Sequence, residues 1–186
     1  MKRRLFVTAL AVSAFAPALL LRRGLASPEG NAVDLEQLRS QWRQWLPPDA
    51  DPDLSLAALE LSEQAWRERL SAAAFDVLRE EGTERPHSSP LDQEKREGVY
   101  LCAGCSLPLF TSAMKYDSGT GWPSFFTHIP EHLSTKLDFK LIWPRTEYHC
   151  ARCGGHQGHV FDDGPPPTGK RWCNNGVALK FLPKSA

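Results

Sequence analysis

Five cysteines carry most of the chemistry available to this chain, and their spacing sorts them. Cys102-Ala103-Gly104-Cys105 and Cys150-Ala151-Arg152-Cys153 are two Cys-x-x-Cys pairs with 44 residues between them. A turn of this kind presents two thiolates to one ion about 2.3 Å away, and two turns complete a tetrahedral four-sulfur set. The competing reading is a pair of redox dithiols or disulfides, which an exported protein would favour. A thioredoxin-type dithiol starts a helix after its first cysteine, and Ser106-Leu107-Pro108-Leu109-Phe110 does not look helical. Zinc at such a site is worth roughly 10–16 kcal/mol, against about 5–15 kcal/mol of net stability for a whole domain. Loss of one ligand should therefore damage folding before it damages any reaction. A filled tetrahedron leaves no open position for substrate, so the chemistry falls to Cys173, the cysteine without a counterpart.

Cys173 follows Gly164-Pro165-Pro166-Pro167-Thr168-Gly169-Lys170-Arg171-Trp172, a stiff run that fixes where the next strand begins. An ordinary thiol, with a pKa of about 8.5, is only a few per cent ionised at neutral pH, so a nucleophile needs a cationic or hydrogen-bonding neighbour. Arg171, His156 and His159 are the groups that can supply it. The plainer reading makes Cys173 a small buried hydrophobe and the histidines satisfied core residues.

The elements that must position these groups change character along the chain. Leu35 to Trp45 reads as a short helix, with Trp42 and Trp45 packing on the domain, followed by a linker broken by Pro47, Pro48 and Pro52. Residues 54 to 70 are loosely amphipathic and helical in pattern. Ser71 is placed to cap a helix whose Ala74, Phe75, Val77 and Leu78 form one apolar face, stopped at Gly82. Beyond the loop at Glu84 to Pro90 the pattern becomes short and alternating. Strands are expected at Gly98 to Cys102, Leu107 to Phe110, Leu137 to Trp143, Thr146 to Cys150 and Val177 to Phe181. Leu137, Phe139 and Leu141 alternate with Asp138 and Lys140, which predicts that the leucines face the core.

Among 186 residues, 22 basic side chains balance 22 acidic ones, so there is no electrostatic footprint for nucleic acid. Five of the basic residues, Lys2, Arg3, Arg4, Arg22 and Arg23, precede residue 27, and without them the count is 17 against 22. Residues 1–26 read as an export signal: a basic start, an apolar run from Leu5 to Leu21, and a small-residue exit with cleavage expected after Ala26. Arg3-Arg4-Leu5-Phe6-Val7 looks like a twin-arginine signal, which places the mature protein in the periplasm. An uncleaved membrane anchor is the alternative. Residues 27–69 form an N-terminal helical extension and linker, and residues 70–186 the catalytic domain.

Three stretches together carry a family resemblance. Gly119 to Phe125 (GTGWPSF), Arg145 to Gly169 (RTEYHCARCGGHQGHVFDDGPPPTG) and Arg171 to Asn175 (RWCNN) resemble the type B methionine sulfoxide reductases, with support from Val77 to Pro86 and Tyr100 to Phe110. The similarity spans about residues 70 to 183. It implies a mainly β, α+β fold of two antiparallel sheets in a tent-like arrangement, with one structural zinc ion and peripheral N-terminal helices. It also implies Cys173 as nucleophile, Cys102, Cys105, Cys150 and Cys153 as zinc ligands, and His156, His159 and Asn175 around the sulfoxide oxygen. Trp122 walls the methyl pocket, and Phe125 and Arg171 complete the substrate-binding set.

The expected function is repair of oxidised proteins or peptides by reduction of methionine-R-sulfoxide, with Cys173 passing through a sulfenic acid. Many relatives resolve it with a second cysteine, often where this chain has Thr120. The cysteine arithmetic leaves no resolving thiol, so an external thioredoxin-like or small-thiol reductant is expected, acting on a monomer. Trp172, Asn174, Gly176 and His87 depart from the family's more common residues. Asp162 and Asp163 are read as orienting Arg171 or a histidine, or as capping a turn. The rivals are a non-catalytic zinc-pinned β-module and a thiol oxidoreductase that uses its Cys-x-x-Cys pairs.

Overall fold

The computed structural model describes residues 34–138 and 145–185; the expected leader, Phe139 and Leu141 lie outside them. Among the described residues, three short helices lead into nine strands. Helix α1 (Leu35–Ser40) is capped by Asp34, whose carboxylate accepts from the Gln37 amide at 3.0 Å. It passes into a 3-10 turn at Trp42–Trp45 that buries Trp42. Helix α2 (Glu63–Arg69), capped by Ser62, buries only Trp66, and residues 54–62, whose pattern is read as helical, are not helical. This segment instead runs along the domain. Leu59 donates to the Arg152 carbonyl at 2.8 Å, and the Asp53 carboxylate accepts from Arg152 at 2.5 Å. Trp42, Trp66 and these two bonds hold the segment against the β-structure.

Helix α3 (Ala72–Glu80) follows its predicted signals closely. The Ser71 hydroxyl accepts from the Ala74 amide at 3.2 Å, and Ala74, Phe75, Val77 and Leu78 are buried. The turn into αL falls on Glu81 (φ 57°), one residue before Gly82, whose amide returns to the Asp76 carbonyl. The Arg79 guanidinium lies 4.9 Å from the Trp66 ring and donates to the Cys153 carbonyl at 2.9 Å. Helix α3 is thereby tied to the second cysteine turn.

The strands are β1 (Gly98–Cys102), β2 (Pro108–Thr111), β3 (Lys115–Tyr116), β4 (Ser124–Phe125), β5 (Leu133–Asp138), β6 (Arg145–Cys150), β7 (His156–Phe161), β8 (Arg171–Asn174) and β9 (Leu179–Pro183). They form two antiparallel sheets, ordered β2-β1-β9 and β3-β4-β8-β7-β6-β5. The aromatic core joins them. Phe110 of the smaller sheet stacks on Phe125 of the larger at 4.0 Å, and Tyr100 and Tyr148 meet this pair edge-on.

The expected alternation at β5 is inverted. Leu137 is 62% exposed, whereas Asp138 is buried and bonded to Arg145 at 2.8 Å and His159 at 3.0 Å. An ion-paired carboxylate is the polar group that interiors tolerate, and on this edge strand its pairing overrides the hydrophobic pattern.

Strands β7 and β8 approach unusually closely where Gly158 pairs with Asn174. A Cβ on Gly158 would lie 1.9 Å from the Cys173 carbonyl oxygen, a backbone atom that cannot rotate away. Gly158→Ala is expected to cost at least about 1–3 kcal/mol. The check is a lower urea midpoint at unchanged slope; an unshifted midpoint would contradict this backbone approach.

Candidate active site and metal centre

The two cysteine pairs occupy matching turns, one in each sheet. Cys102 to Ser106 closes β1 onto β2, with the Ser106 amide bonded to the Cys102 carbonyl at 2.8 Å. Cys150 to Gly154 closes β6 onto β7, with the Gly154 amide bonded to the Cys150 carbonyl at 2.9 Å. In both turns the residue after the second cysteine is left-handed: Ser106 at φ 63° and Gly154 at φ 66°. Glycine adopts that geometry freely; serine does so at a steric cost.

The four thiols are free and buried, and their sulfurs lie within 4.8 Å of one another. Cys102 Sγ is 3.6 Å from Cys153 Sγ, and Cys105 Sγ is 3.4 Å from Cys150 Sγ. A disulfide needs about 2.05 Å, while the edge of a tetrahedron with bonds of about 2.3 Å is about 3.8 Å. The spacing fits a shared ion rather than a bond. Hydrogen bonds from its three sulfur neighbours hold Cys153 far below the ordinary thiol range, whereas those of Cys102, with its full burial, push that thiol up. Gln157 Nε2 donates to Cys102 Sγ at 3.4 Å and adds a polar contact behind the ligands. These four residues can hold a metal ion.

Cys173 sits elsewhere, in the middle of the larger sheet. On β8 it pairs with Ser124 of β4 on one side and with His159 of β7 on the other. It opens into a cavity of about 240 Å³ whose walls include Thr83, Thr120, Trp122, Arg145, His159, Phe161, Arg171 and Asn175. The Trp122 indole N–H donates to the Glu84 carbonyl at 3.2 Å, which fixes the ring. Asn175 is held at both ends: its Oδ1 accepts from the Glu84 amide and its Nδ2 donates to the Gln157 carbonyl, each at 3.0 Å. Asp163 grips Arg171 with two bonds of 2.8 and 2.9 Å, and the guanidinium lies 4.2 Å from the Phe161 ring. Asp162 pairs instead with Lys170.

The structure thus gathers Cys173, His159, Asn175, Trp122 and Arg171 around one space. It sets two expected site residues apart. Phe125 is fully buried in the stack with Phe110 and does not line the cavity, because β4 turns its ring toward the core. His156 does not line it either. It is 1% exposed, with its ring 5.4 Å from that of His159 and its Nδ1 2.5 Å from a Glu147 oxygen. Glu84 lies in the loop from Glu84 to Pro90, and no periodic signal marks it as a site residue. Its carboxylate accepts from the amides of Gly176 and Val177 just after β8, and burial raises its pKa against those two bonds.

Electrostatics set the resting state. Burial raises the Cys173 thiol above its ordinary value, against the charge of Arg171 and hydrogen bonds from Thr120 and Arg171. Burial lowers His159, partly offset by its bond to Asp138, and it lowers His156 to about 4. Thiol and imidazole therefore rest neutral at pH 7, not as a preformed ion pair. A neutral thiol facing a neutral imidazole can pass its proton onward as it attacks.

The comparisons agree with this geometry. A SelR domain model matches residues 70–183, so the chain belongs to the SelR-domain family of type B methionine sulfoxide reductases. It is 42% identical over 160 residues to the chloroplastic peptide methionine sulfoxide reductase B1 of Arabidopsis thaliana, covering 86% of this chain and 79% of that one. It is 50% identical over 125 residues to the peptide methionine sulfoxide reductase MsrB of Methanosarcina barkeri, covering 67% and 88%. Against the MsrB of Agrobacterium fabrum the identity is 46% over 132 residues, covering 70% and 98%.

A raised thiol pKa has a sign that can be read directly. Iodoacetamide alkylation of Cys173 should climb with pH only above the ordinary thiol range of about 8.5, and Arg171→Ala should move the profile higher still. A midpoint below that range, or a downward shift in the variant, would contradict the assigned balance of burial and charge.

Proposed function

We propose that this oxidoreductase reduces methionine-R-sulfoxide, in proteins or peptides and as the free amino acid, to methionine. The observation that carries the reading is the cross-strand placement of Cys173 against His159 at a cavity walled by Trp122. A sulfoxide sulfur accepts a nucleophile only when its oxygen is hydrogen-bonded or protonated. The Cys173 sulfur attacks the sulfoxide sulfur while the thiol proton, carried by His159, goes to the oxygen. The oxygen then passes from the methionine sulfur to Cys173: the transient S–S bond and the methionine S–O bond break as a Cys173 S–O bond forms, so that methionine leaves and Cys173, oxidised by two electrons, is a sulfenic acid. The Trp122 face seats the methyl group beside sulfur. Asn175, held at both ends, directs its remaining Nδ2 hydrogen toward the oxygen.

Two external thiols then return Cys173 to the thiol, forming one disulfide and one water. Thr120 supports this external route. It lines the cavity and hydrogen-bonds Cys173, so the position from which a second cysteine would resolve the intermediate carries a hydroxyl. His156 packs behind His159 and acts through it, as a positioning residue. Zinc is the ion that suits four thiolates in a closed tetrahedron, where it holds the scaffold. The protein acts as a monomer, and the basic and apolar leader supports export to the periplasm through a twin-arginine route.

The test is stereochemical. Purified protein with dithiothreitol should reduce the R epimer of methionine sulfoxide and leave the S epimer, and Cys173→Ser should lower the rate at least about a thousandfold, the scale lost with a catalytic nucleophile. Reduction of the S epimer alone, or an active Cys173→Ser, would sink the assignment, and reduction of neither epimer would leave a binding module.

A further inference from the structure

Glu147, His149 and His156 meet on the side of β6 and β7 away from the sulfurs, where a second cavity of about 350 Å³ opens past Ser134, Lys136 and Glu81. Glu147 is 2% exposed and His156 1%, and the side chain of His149 is 11% exposed. Burial of three such groups ordinarily requires each polar atom to be bonded. Here Glu147 Oε1, His149 Nε2 and both ring nitrogens of His156 are buried with no hydrogen-bond partner.

The orientation of His149 sharpens the point. Its Nδ1 lies 3.1 Å from the Gly154 carbonyl, an acceptor only, so Nδ1 carries the hydrogen. When the ring is neutral, Nε2 then presents a lone pair, and it faces Glu147 Oε1 at 3.1 Å. His156 Nδ1 reaches the same oxygen at 2.5 Å without hydrogen-bond alignment. The His149 Nε2 and Glu147 Oε1 lone pairs thus converge in a buried space, an arrangement that a cation bound there would satisfy. Lys136 Nζ does not fill that place; it is 3.4 Å from the other carboxylate oxygen and 2.7 Å from Glu81.

We propose that Glu147, His149 and His156 form a second metal site, distinct from the four-cysteine cluster, that binds a divalent transition-metal ion through two imidazole nitrogens and one carboxylate oxygen. All three ligand atoms lie within 4.8 Å of one another. Bonds of about 2.1 Å in a tetrahedron would set them about 3.4 Å apart, a movement of under about 1 Å for the closest pair. The bond from His149 Nδ1 to Gly154 is the outer contact that fixes a metal-binding tautomer. A fourth position opens to the cavity. Two imidazoles and a carboxylate suit zinc, cobalt, nickel or copper rather than magnesium or calcium.

The experiment titrates tag-free protein, its four cysteines loaded with zinc, with Co²⁺ alone and follows visible absorption and bound zinc. About one equivalent of cobalt should bind with weak d–d bands, no thiolate-to-cobalt charge transfer and no zinc release. Glu147→Gln and His149→Ala should each weaken that binding at least about tenfold while keeping their zinc and a cooperative melt. His149→Ala, at the cavity wall, decides the matter if Glu147→Gln does not fold. Absence of saturable cobalt binding, equal affinity in the variants, or charge transfer with zinc release would each overturn the second site.

Discussion

Everything in this domain depends on holding two sheets in register at one end, and the four-sulfur cluster is where that happens. Cys102 and Cys105 belong to the turn of the smaller sheet, Cys150 and Cys153 to a turn of the larger one. An ion bound by all four would crosslink the sheets directly. The aromatic stack of Phe110 on Phe125 spans the same two sheets further along. From the second knuckle the chain runs straight into β7, so the clamp also fixes where His159 stands against Cys173. The four clustered sulfurs and the Cys173 sulfur are thereby coupled in position while kept apart in space.

The Cys173 sulfur is quiet at rest. Burial outweighs the cation beside it, so the Cys173 thiol is raised rather than activated, and His159 stays neutral for the same reason. Such a pair gains charge only when an acceptor for the proton arrives. In the proposed reaction a sulfoxide oxygen would be that acceptor. Rigid neighbours complete the preorganisation: Trp122 and Asn175 both hang from Glu84, and Arg171 from Asp163.

Much of this was legible in the residues. The Cys-x-x-Cys spacing gave the cluster because few other arrangements use four thiols in two tight turns. The α3 cap and apolar face were read correctly because local signals and packing agree there. Strand β7 leaves no pattern in the sequence because His156 to Phe161 mixes glycine, glutamine and histidine, so its period is not apolar. Leu137 and Asp138 misled for a related reason: an ion pair with Arg145 and His159 fixed the strand's orientation against its hydrophobic alternation. Phe125 and His156 lie close to the site in sequence, yet the pleat turns one into the core and the other behind His159. No sequence pattern distinguishes these from their cavity-facing neighbours until the pairing register is known.

The division among five sulfurs can be read in one trapping measurement. Protein without reductant is given a single portion of methionine-R-sulfoxide and then dimedone, and its peptides are weighed by mass spectrometry. The account predicts a dimedone adduct, the mark of a sulfenic acid, on Cys173 and on none of Cys102, Cys105, Cys150 or Cys153. A disulfide joining Cys173 to one of those four, or adducts on them with Cys173 unmodified, would contradict it.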